Sequence, residues 1–420
     1  MLCGINVDTH GKTGKQAAQI NACARKNAEK NAYCKTRVIY VKNIGKNRFA
    51  VYKAVFLWYI TDQEQPFITA LHFEREKMQK IISAGNLLDE NGNLTECGYA
   101  TEAVKTYDRK AIKAGKLRIK EWDYYFISNG KQGVCLTIDD NSYMSLASVS
   151  FLDFEKRTYI TKSTMHALSF GKIGLTPDYR TGTVCYKDKK VDGCFAQENG
   201  RRKLTFTFRQ FDKKQDFTCA FELFDEPRDK MVIATPFDKP KHFYYNIKAN
   251  AMTARGYCTI GKTRYVFSEE NSLATLDWGR GVWTYSNEWY WGSLQCLVDD
   301  VKFGFNIGYG FGNTSAASEN MLFYDGKAHK LNQVVFNIPK NSSGKGFDYM
   351  SPWTFTDDEG RFNLSFVPLI DRYDNANALI ISSNQHQVFG LFSGTVTLDD
   401  GRVIEIKDKI GFAEHVRNRW

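Results

Sequence analysis

Several signatures are missing from this 420-residue sequence, and each absence removes a class of function. The ten cysteines contain no Cys-x-x-Cys and no cysteine–histidine spacing suited to zinc. No His-Glu-x-x-His, no Walker lysine and no Gly-x-Ser-x-Gly elbow occurs, so the common metalloprotease, nucleotide and serine-hydrolase frames have no support. No metal or cofactor is expected. Proline is scarce, 8 residues against 32 glycines, which argues against a proline-rich linker and for many tight turns. No long apolar run is present. The most apolar stretch, Ala54–Ile60, falls far short of the ~20 residues a membrane helix needs. The first ten residues have no apolar leader core. A soluble, cytoplasmic protein with reduced cysteines is the expectation. The net charge of +10 is also less than it looks. Residues 1–77 hold 13 Lys/Arg against 6 Asp/Glu, whereas the rest of the chain holds 44 against 41. The main body has no basic field to attract phosphates, so no nucleic-acid partner is expected.

What is abundant is aromatic residues, 30 Phe, 22 Tyr and 8 Trp, which favour strands and line apolar pockets. From residue 85 onward, turn signals at 89–93, 128–131, 198–201, 324–327, 357–361 and 399–401 separate alternating segments. Leu204, Phe206 and Phe208 share one face of a strand. Val301, Phe303, Phe305, Ile307 and Tyr309 share another, with Gly304, Asn306, Gly308 and Gly310 opposite them. That glycine row predicts strong curvature or a backbone closely approached by a ligand. Residues 391–398 and 402–407 read as a hairpin about Asp399–Gly401. Residues 101–115 are the one helix candidate of this region. Upstream, 16–30 and 66–84 read as helices, with a hairpin of 37–40 and 49–60 between them. A weak echo relates the series starting at Glu121-Trp122 and ending near Phe154 to the one starting at Glu288-Trp289 and ending near Gly326, which suggests two copies of a β unit.

Chemistry-bearing residues concentrate between Leu276 and Asn320. Trp278, Trp283, Trp289 and Trp291 lie close together, interleaved with Asp277, Arg280 and Glu288. A carboxylate among indoles is desolvated and its pKa rises, which suits a general acid, while indole faces stabilise cations. The competing reading pairs Asp277 with Arg280, or makes it a turn cap, and places the tryptophans in a core. Glu319 and Asn320 follow the glycine-rich strand and either close the mouth of a pocket or satisfy loop backbone. His329 reads as surface and His242 as packed. The candidate catalytic residues are Asp277 and Glu319. The candidate ligand-binding residues are Trp278, Arg280, Trp283, Trp289, Trp291, Asn306, Tyr309 and Asn320.

The pieces LLDENGNL, YDRKAIK, RIKEWDYY, LDWGRGVWTY, WYWGS, NIGYGFGNTSAASEN, DGKAHKL, SPWTF, DDEGR and GFAEHVRNRW resemble the domain-of-unknown-function 2804 family from about Gly85 to Trp420. The family's usual start falls near Met78 and its end at Trp420, so residues 1–77 read as an extension. More distantly, the chain is similar to tandem lipocalin-like proteins that include carotenoid hydratases, cofactor-free cyclases and lipid carriers. That resemblance implies an all-β, minor-α fold of two lipocalin-like antiparallel barrels, expected at 85–255 and 256–420 after an N-terminal extension of 1–84. A barrel of about eight strands holds one small ligand. The expected partner is a hydrophobic small molecule of isoprenoid, fatty acyl or polyketide type, either bound and carried or protonated by a cofactor-free hydratase, isomerase or cyclase. In that second case Asp277 is the acid, Trp278, Trp283 and Trp291 face positive charge, and Arg280 or Glu319 orients groups.

Overall fold

The computed structural model describes residues 79–378 and 381–420, together with four upstream strands. The chain divides into two compact units, Met1–Met78 and Gln79–Trp420. In the first unit, Tyr33–Lys42 pairs antiparallel with Val51–Ile60, so the expected hairpin is present. The helix expected over 66–84 is not. Phe67–Ile68 and Phe73–Arg75 are strands that add to Val51–Ile60, in keeping with their aromatic and β-branched residues. The helix expected over 16–30 lies outside the described residues.

The second unit is two curled antiparallel sheets in tandem, whose main strands are numbered here in chain order. The first sheet contains β1 (Ile119–Ser128), β2 (Gln132–Asp140), β3 (Met144–Asp153), β4 (Thr158–Ala167), β5 (Gly182–Lys187), β6 (Val191–Glu198), β7 (Arg201–Asp212), β8 (Gln215–Phe224), β9 (Phe243–Ile260) and β10 (Leu273–Val282). Its order is β4-β3-β2-β1-β10-β9-β8-β7-β6-β5. The second contains β11 (Ser286–Val298), β12 (Val301–Tyr309), β13 (Met321–Tyr324), β14 (Lys327–Lys330), β15 (Val334–Asn337), β16 (Trp353–Asp357), β17 (Phe362–Ala378), β18 (Ile381–Thr397) and β19 (Val403–Arg419). Its order is β14-β13-β12-β11-β19-β18-β17-β16-β15. Both sheets follow one plan: a meander of four strands runs outward from the first strand, and the first strand pairs with the last. The echo between the Glu121-Trp122 and Glu288-Trp289 series corresponds to β1–β3 and β11–β13. The two sheets divide between Val282 and Ser286, so residues 256–282 lie in the first.

Alternation along the strands explains the packing. Tyr125, Phe195, Phe206, Phe217, Phe221 and Trp278 fill the interior of the first curl. Phe305, Phe336, Trp353, Phe366 and Phe392 fill the second. The first curl brings its edges together, with Thr164 Oγ1 of β4 donating to Asp188 in the β5–β6 turn at 2.6 Å. The outer faces of the two curls then meet in a seam, where Tyr124, Phe126 and Phe154 pack on Trp291, Phe389 and Phe412.

Several local expectations are corrected. Residues 101–115 form a short strand, Lys105–Thr106, and one 3-10 turn, Arg109–Ala111, instead of a helix. Lys105 is held by Glu96 and Tyr107 by Glu121, and the Asp108 side chain caps Lys110, so this segment's partners are not those of a helix. His329 is buried rather than on the surface and accepts from the backbone N–H of Asp399. His242 is packed, as expected. Cys185 and Cys194 face each other across β5 and β6 and form a disulfide that the scattered cysteine spacing did not suggest. No helix among the described residues is long and apolar enough to cross a membrane.

Candidate functional site

Strand β10 carries Asp277, Trp278 and Arg280 of the predicted site, and its pleat separates them onto two faces. Trp278 and Arg280 point into the first curl. Arg280 is fully buried and bonds Asp123 at 3.0 Å, as well as the carbonyls of Trp122, Gly279 and Thr176. Its guanidinium lies 3.9 Å from the Trp278 ring, so the cation beside that indole is the protein's own. Asp277 points the other way, into the seam, and Arg280 does not pair with it. Arg280 therefore does not orient groups around Asp277, contrary to the expected arrangement, because residues an odd number of positions apart on a strand lie on opposite faces.

In the seam Asp277 is 7% exposed. It accepts from the Asn246 amide on β9 and from the Trp122 indole on β1. Burial raises its pKa, opposed by the nearby Lys248 ammonium and assisted by Glu319. Lys248 of β9 sits 3.7 Å from the centre of the Trp291 ring and 3.3 Å from Glu319. Asn306 joins the same network, accepting from Trp291 Nε1 at 2.7 Å and donating to Glu319 Oε2 at 3.2 Å. Glu414 of β19 accepts from Trp289 Nε1 at 2.8 Å and from Gln387 Nε2 at 2.9 Å. Burial pushes the Glu414 carboxyl up to about 7, with Asp277 adding to the rise. Three carboxyl groups thus share the field of one lysine, and two of them are pushed toward the protonated form.

The amide partner of Glu414 fits a proton on that acid. Asn246 Oδ1 and Gln387 Oε1 are both buried without a hydrogen-bond partner. A protonated carboxyl needs an acceptor, and turning the Gln387 amide provides one for Glu414, whereas the Asn246 amide is fixed by its second bond, to the Trp278 carbonyl at 3.0 Å.

The two acids occupy equivalent places. Tyr124 lies opposite Asp277, Trp122 opposite Gly279 and Glu121 opposite Arg280. In the second sheet Trp291 lies opposite Glu414, Trp289 opposite Val416 and Glu288 opposite Arg417. The backbone N–H of Trp283 bonds the carbonyl of Arg118, and that of Trp420 bonds the carbonyl of Tyr285. Each half therefore supplies one carboxyl from its last strand and one indole from its first.

The remaining residues have clear places. Trp283, Trp289, Trp122 and Phe311 form an edge-to-face cluster with centroid separations of 4.7–5.7 Å. Beside it is a recess of about 240 Å³ lined by Phe237, Asp238, Thr284, Ser286, Asn287, Glu288, Gly310 and Gly312. Glu319 does not close a pocket mouth, because it is paired with Lys248 inside the seam. Asn320 takes the loop-satisfying role, accepting from Gly308 N and donating to Asn332 O. Tyr309 faces the second curl, stacked on Tyr290 at 4.6 Å. The glycine row makes room for protein groups: a Cβ at Gly308 would meet Glu319 Oε1 at 2.6 Å, and one at Gly304 would meet Asn250 Cβ at 3.3 Å.

A family model covers residues 78–420, the whole of this double-sheet unit. The chain belongs to the family described as Domain of unknown function (DUF2804). No curated protein matches it. Among solved structures, this DUF2804 member is similar to a putative AttH from Nitrosomonas europaea, with 14% identity and a TM-score of 0.47 over 75% of this chain and 98% of that one. It is also similar to kievitone hydratase from Nectria haematococca, with 10% identity and a TM-score of 0.43 over 80% of this chain and 98% of that one.

Sequence reasoning missed Glu414, Lys248, Asn246, Gln387 and Trp122. A signal was available for the first of these. The spacing acid-x-x-Arg-x-x-Trp occurs at Asp277, Arg280 and Trp283, and again at Glu414, Arg417 and Trp420.

Proposed function

We propose that this protein is a cofactor-free acid–base catalyst that takes an unsaturated small molecule at the recess beside the tryptophan cluster and protonates it from the seam, as a hydratase, isomerase or cyclase does. The observation that carries this reading is the equivalent pair of Asp277 and Glu414. Each is buried with a raised pKa, and each is held by an indole N–H. A carboxyl that keeps its proton near neutrality is a competent acid, and ring faces stabilise the carbocation that protonation of an alkene creates. Asp277 is the acid. Glu414 and Lys248 set its charge state, and Trp122 and Trp289 stand between the acids and the recess. The recess itself is mostly polar, with Phe237 its one aromatic, so an isoprenoid, fatty acyl or polyketide chain would contact the neighbouring Trp283, Trp289 and Phe311 rings while its polar end meets the recess.

A second reading, binding and carriage without conversion, draws on a specific observation. Asp277 is 7% and Glu414 4% exposed, so both lie behind indole rings rather than at an open surface. Native mass spectrometry of the purified protein, followed by extraction, identifies any bound apolar molecule. Catalysis predicts its conversion, lost in Asp277→Asn while the ligand still binds. Equal conversion by the variant removes Asp277 from the mechanism, and binding with no conversion by the wild type favours carriage.

A further inference from the structure

The second curl carries a second cluster of titratable groups on the inward face of its last two strands, opposite in pleat to the seam acids. His415 of β19 is 2% exposed, yet both of its ring nitrogens are engaged. Tyr349 Oη lies 2.7 Å from Nδ1, and Glu288 Oε1 lies 2.8 Å from Nε2. The direction of the chain follows from the charges. Glu288, also bonded by Arg417 at 2.9 Å, is held below the usual glutamate range by His415 and Arg417, so it accepts only. Nε2 therefore carries the hydrogen. Burial lowers the His415 pKa, which leaves Nδ1 free to accept from the Tyr349 hydroxyl. A hydroxyl bonded to an imidazole that is itself bonded to a carboxylate is the arrangement that activates an oxygen toward a proton.

The surroundings are flat, aromatic and cationic at the rim. Tyr290 stacks on His415 at 4.3 Å, and His386 stacks on Tyr349 at 3.7 Å. Phe347 meets His415 edge-on at 5.4 Å, with Lys340 4.1 Å over the Phe347 ring. His386 bonds Asp371 at 2.8 Å, and Asp371 Oδ1 is buried without a partner. The groups that face His415 are thus Tyr349, Glu288, Arg417, Tyr290, Phe347 and His386.

The equivalent positions of the first curl lack this chemistry. The cross-strand pair His386–His415 corresponds to Ile247–Trp278. The Glu288–Arg417 pair corresponds to Glu121–Arg280, but Arg280 is fully buried while the Arg417 and Glu288 side chains are 61% and 46% exposed. Only the second half has acquired two imidazoles and an accessible ion pair at these positions.

We propose that this cluster is a proton-accepting site for a planar aromatic compound bearing an acidic hydroxyl, with Tyr349 touching the ligand oxygen and His415 and Glu288 as positioning residues behind it. The step balances as a proton transfer. The ligand hydroxyl gives its proton to Tyr349 Oη, whose own proton passes to His415 Nδ1. The products are a bound phenolate and an imidazolium paired with the Glu288 carboxylate. Arg417 and Lys340 offset the phenolate charge. The site does not use the seam acids, but it shares Glu288 with the recess lining, so Tyr349→Phe is the variant that separates the two.

4-Nitrophenol tests this directly, because its phenolate absorbs at longer wavelength than the phenol. The full-length protein is titrated at a pH below the free compound's ionisation midpoint. The expected result is saturable binding with about a tenfold rise in the phenolate-to-phenol ratio, lost in Tyr349→Phe, which keeps the stacked ring, and in Glu288→Gln. Circular dichroism of both variants confirms folding. Absence of binding overturns the proposal, as does binding in the neutral form. Phenolate enrichment that persists in Tyr349→Phe also overturns it, because Arg417 and Lys340 then suffice without the relay.

Discussion

Replacing Glu414 with glutamine isolates the electrostatics of the seam. The side chain is buried, and its carboxyl is moved from an ordinary 4.5 to about 7 by burial, against the Trp289 hydrogen bond and the Lys248 and Arg372 charges. A difference of that size is worth about 3 kcal/mol. Its sign follows from linkage. The folded state holds the proton that the unfolded chain has already released, so the contribution of Glu414 is full below about pH 4.5 and is lost as pH rises to about 7. Glutamine keeps the shape and cannot ionise. It accepts from Trp289, and its amide donates to Gln387 Oε1 once that group turns. Urea unfolding followed by tryptophan fluorescence at pH 4.5 and pH 8 measures the difference. The wild type is expected to lose about 3 kcal/mol more than Glu414→Gln between these two conditions. Asp139, raised to about 7, and Lys120, lowered to about 7, titrate in both proteins and cancel in the comparison. Parallel losses in the two proteins would refute the reasoning, because Glu414 would then ionise as easily when folded as when unfolded.

Three further perturbations probe other contacts. Gly279→Ala places a methyl on the Trp122 ring, since the indole lies directly over that glycine. A loss of about 1–3 kcal/mol with a changed tryptophan emission is expected. Asp123→Ala leaves the buried Arg280 guanidinium without its carboxylate, and denaturant unfolding is expected to show a loss of about 3–5 kcal/mol. Lys248→Met removes the seam's ammonium and is expected to destabilise the protein more at pH 8 than at pH 5, where Glu414 is protonated. Equal losses at the two pH values contradict the shared-field description.

Much of the fold is legible in the sequence because strands announce themselves by period two. Leu204, Phe206 and Phe208 all face inward, and Phe303, Phe305 and Ile307 do the same. The helix expected at 101–115 fails because tertiary partners of Lys105, Tyr107 and Asp108 outweigh weak local preference. The site was half legible. The tryptophan cluster marks the right region, but listing Asp277, Trp278 and Arg280 together overlooks the pleat that separates them. Lys248 and Glu414 come from strands distant in sequence, and only the register of β9, β10 and β19 brings them near Asp277. The repeated acid, arginine and tryptophan spacing is the sequence trace of that arrangement. It is hard to see because the acid changes from Asp to Glu and little else between the two copies is alike.

The central claim is that burial raises the pKa of Asp277 and of Glu414, the latter to about 7, at equivalent places in two halves. Infrared titration of the carboxylic C=O stretch, comparing wild type with Asp277→Asn and Glu414→Gln, measures this directly. The account predicts buried carboxylic bands that survive well above the usual carboxylate range, one lost in each variant, with the Glu414 band fading near pH 7. Bands that vanish at ordinary carboxylate pH, or that neither variant removes, contradict it.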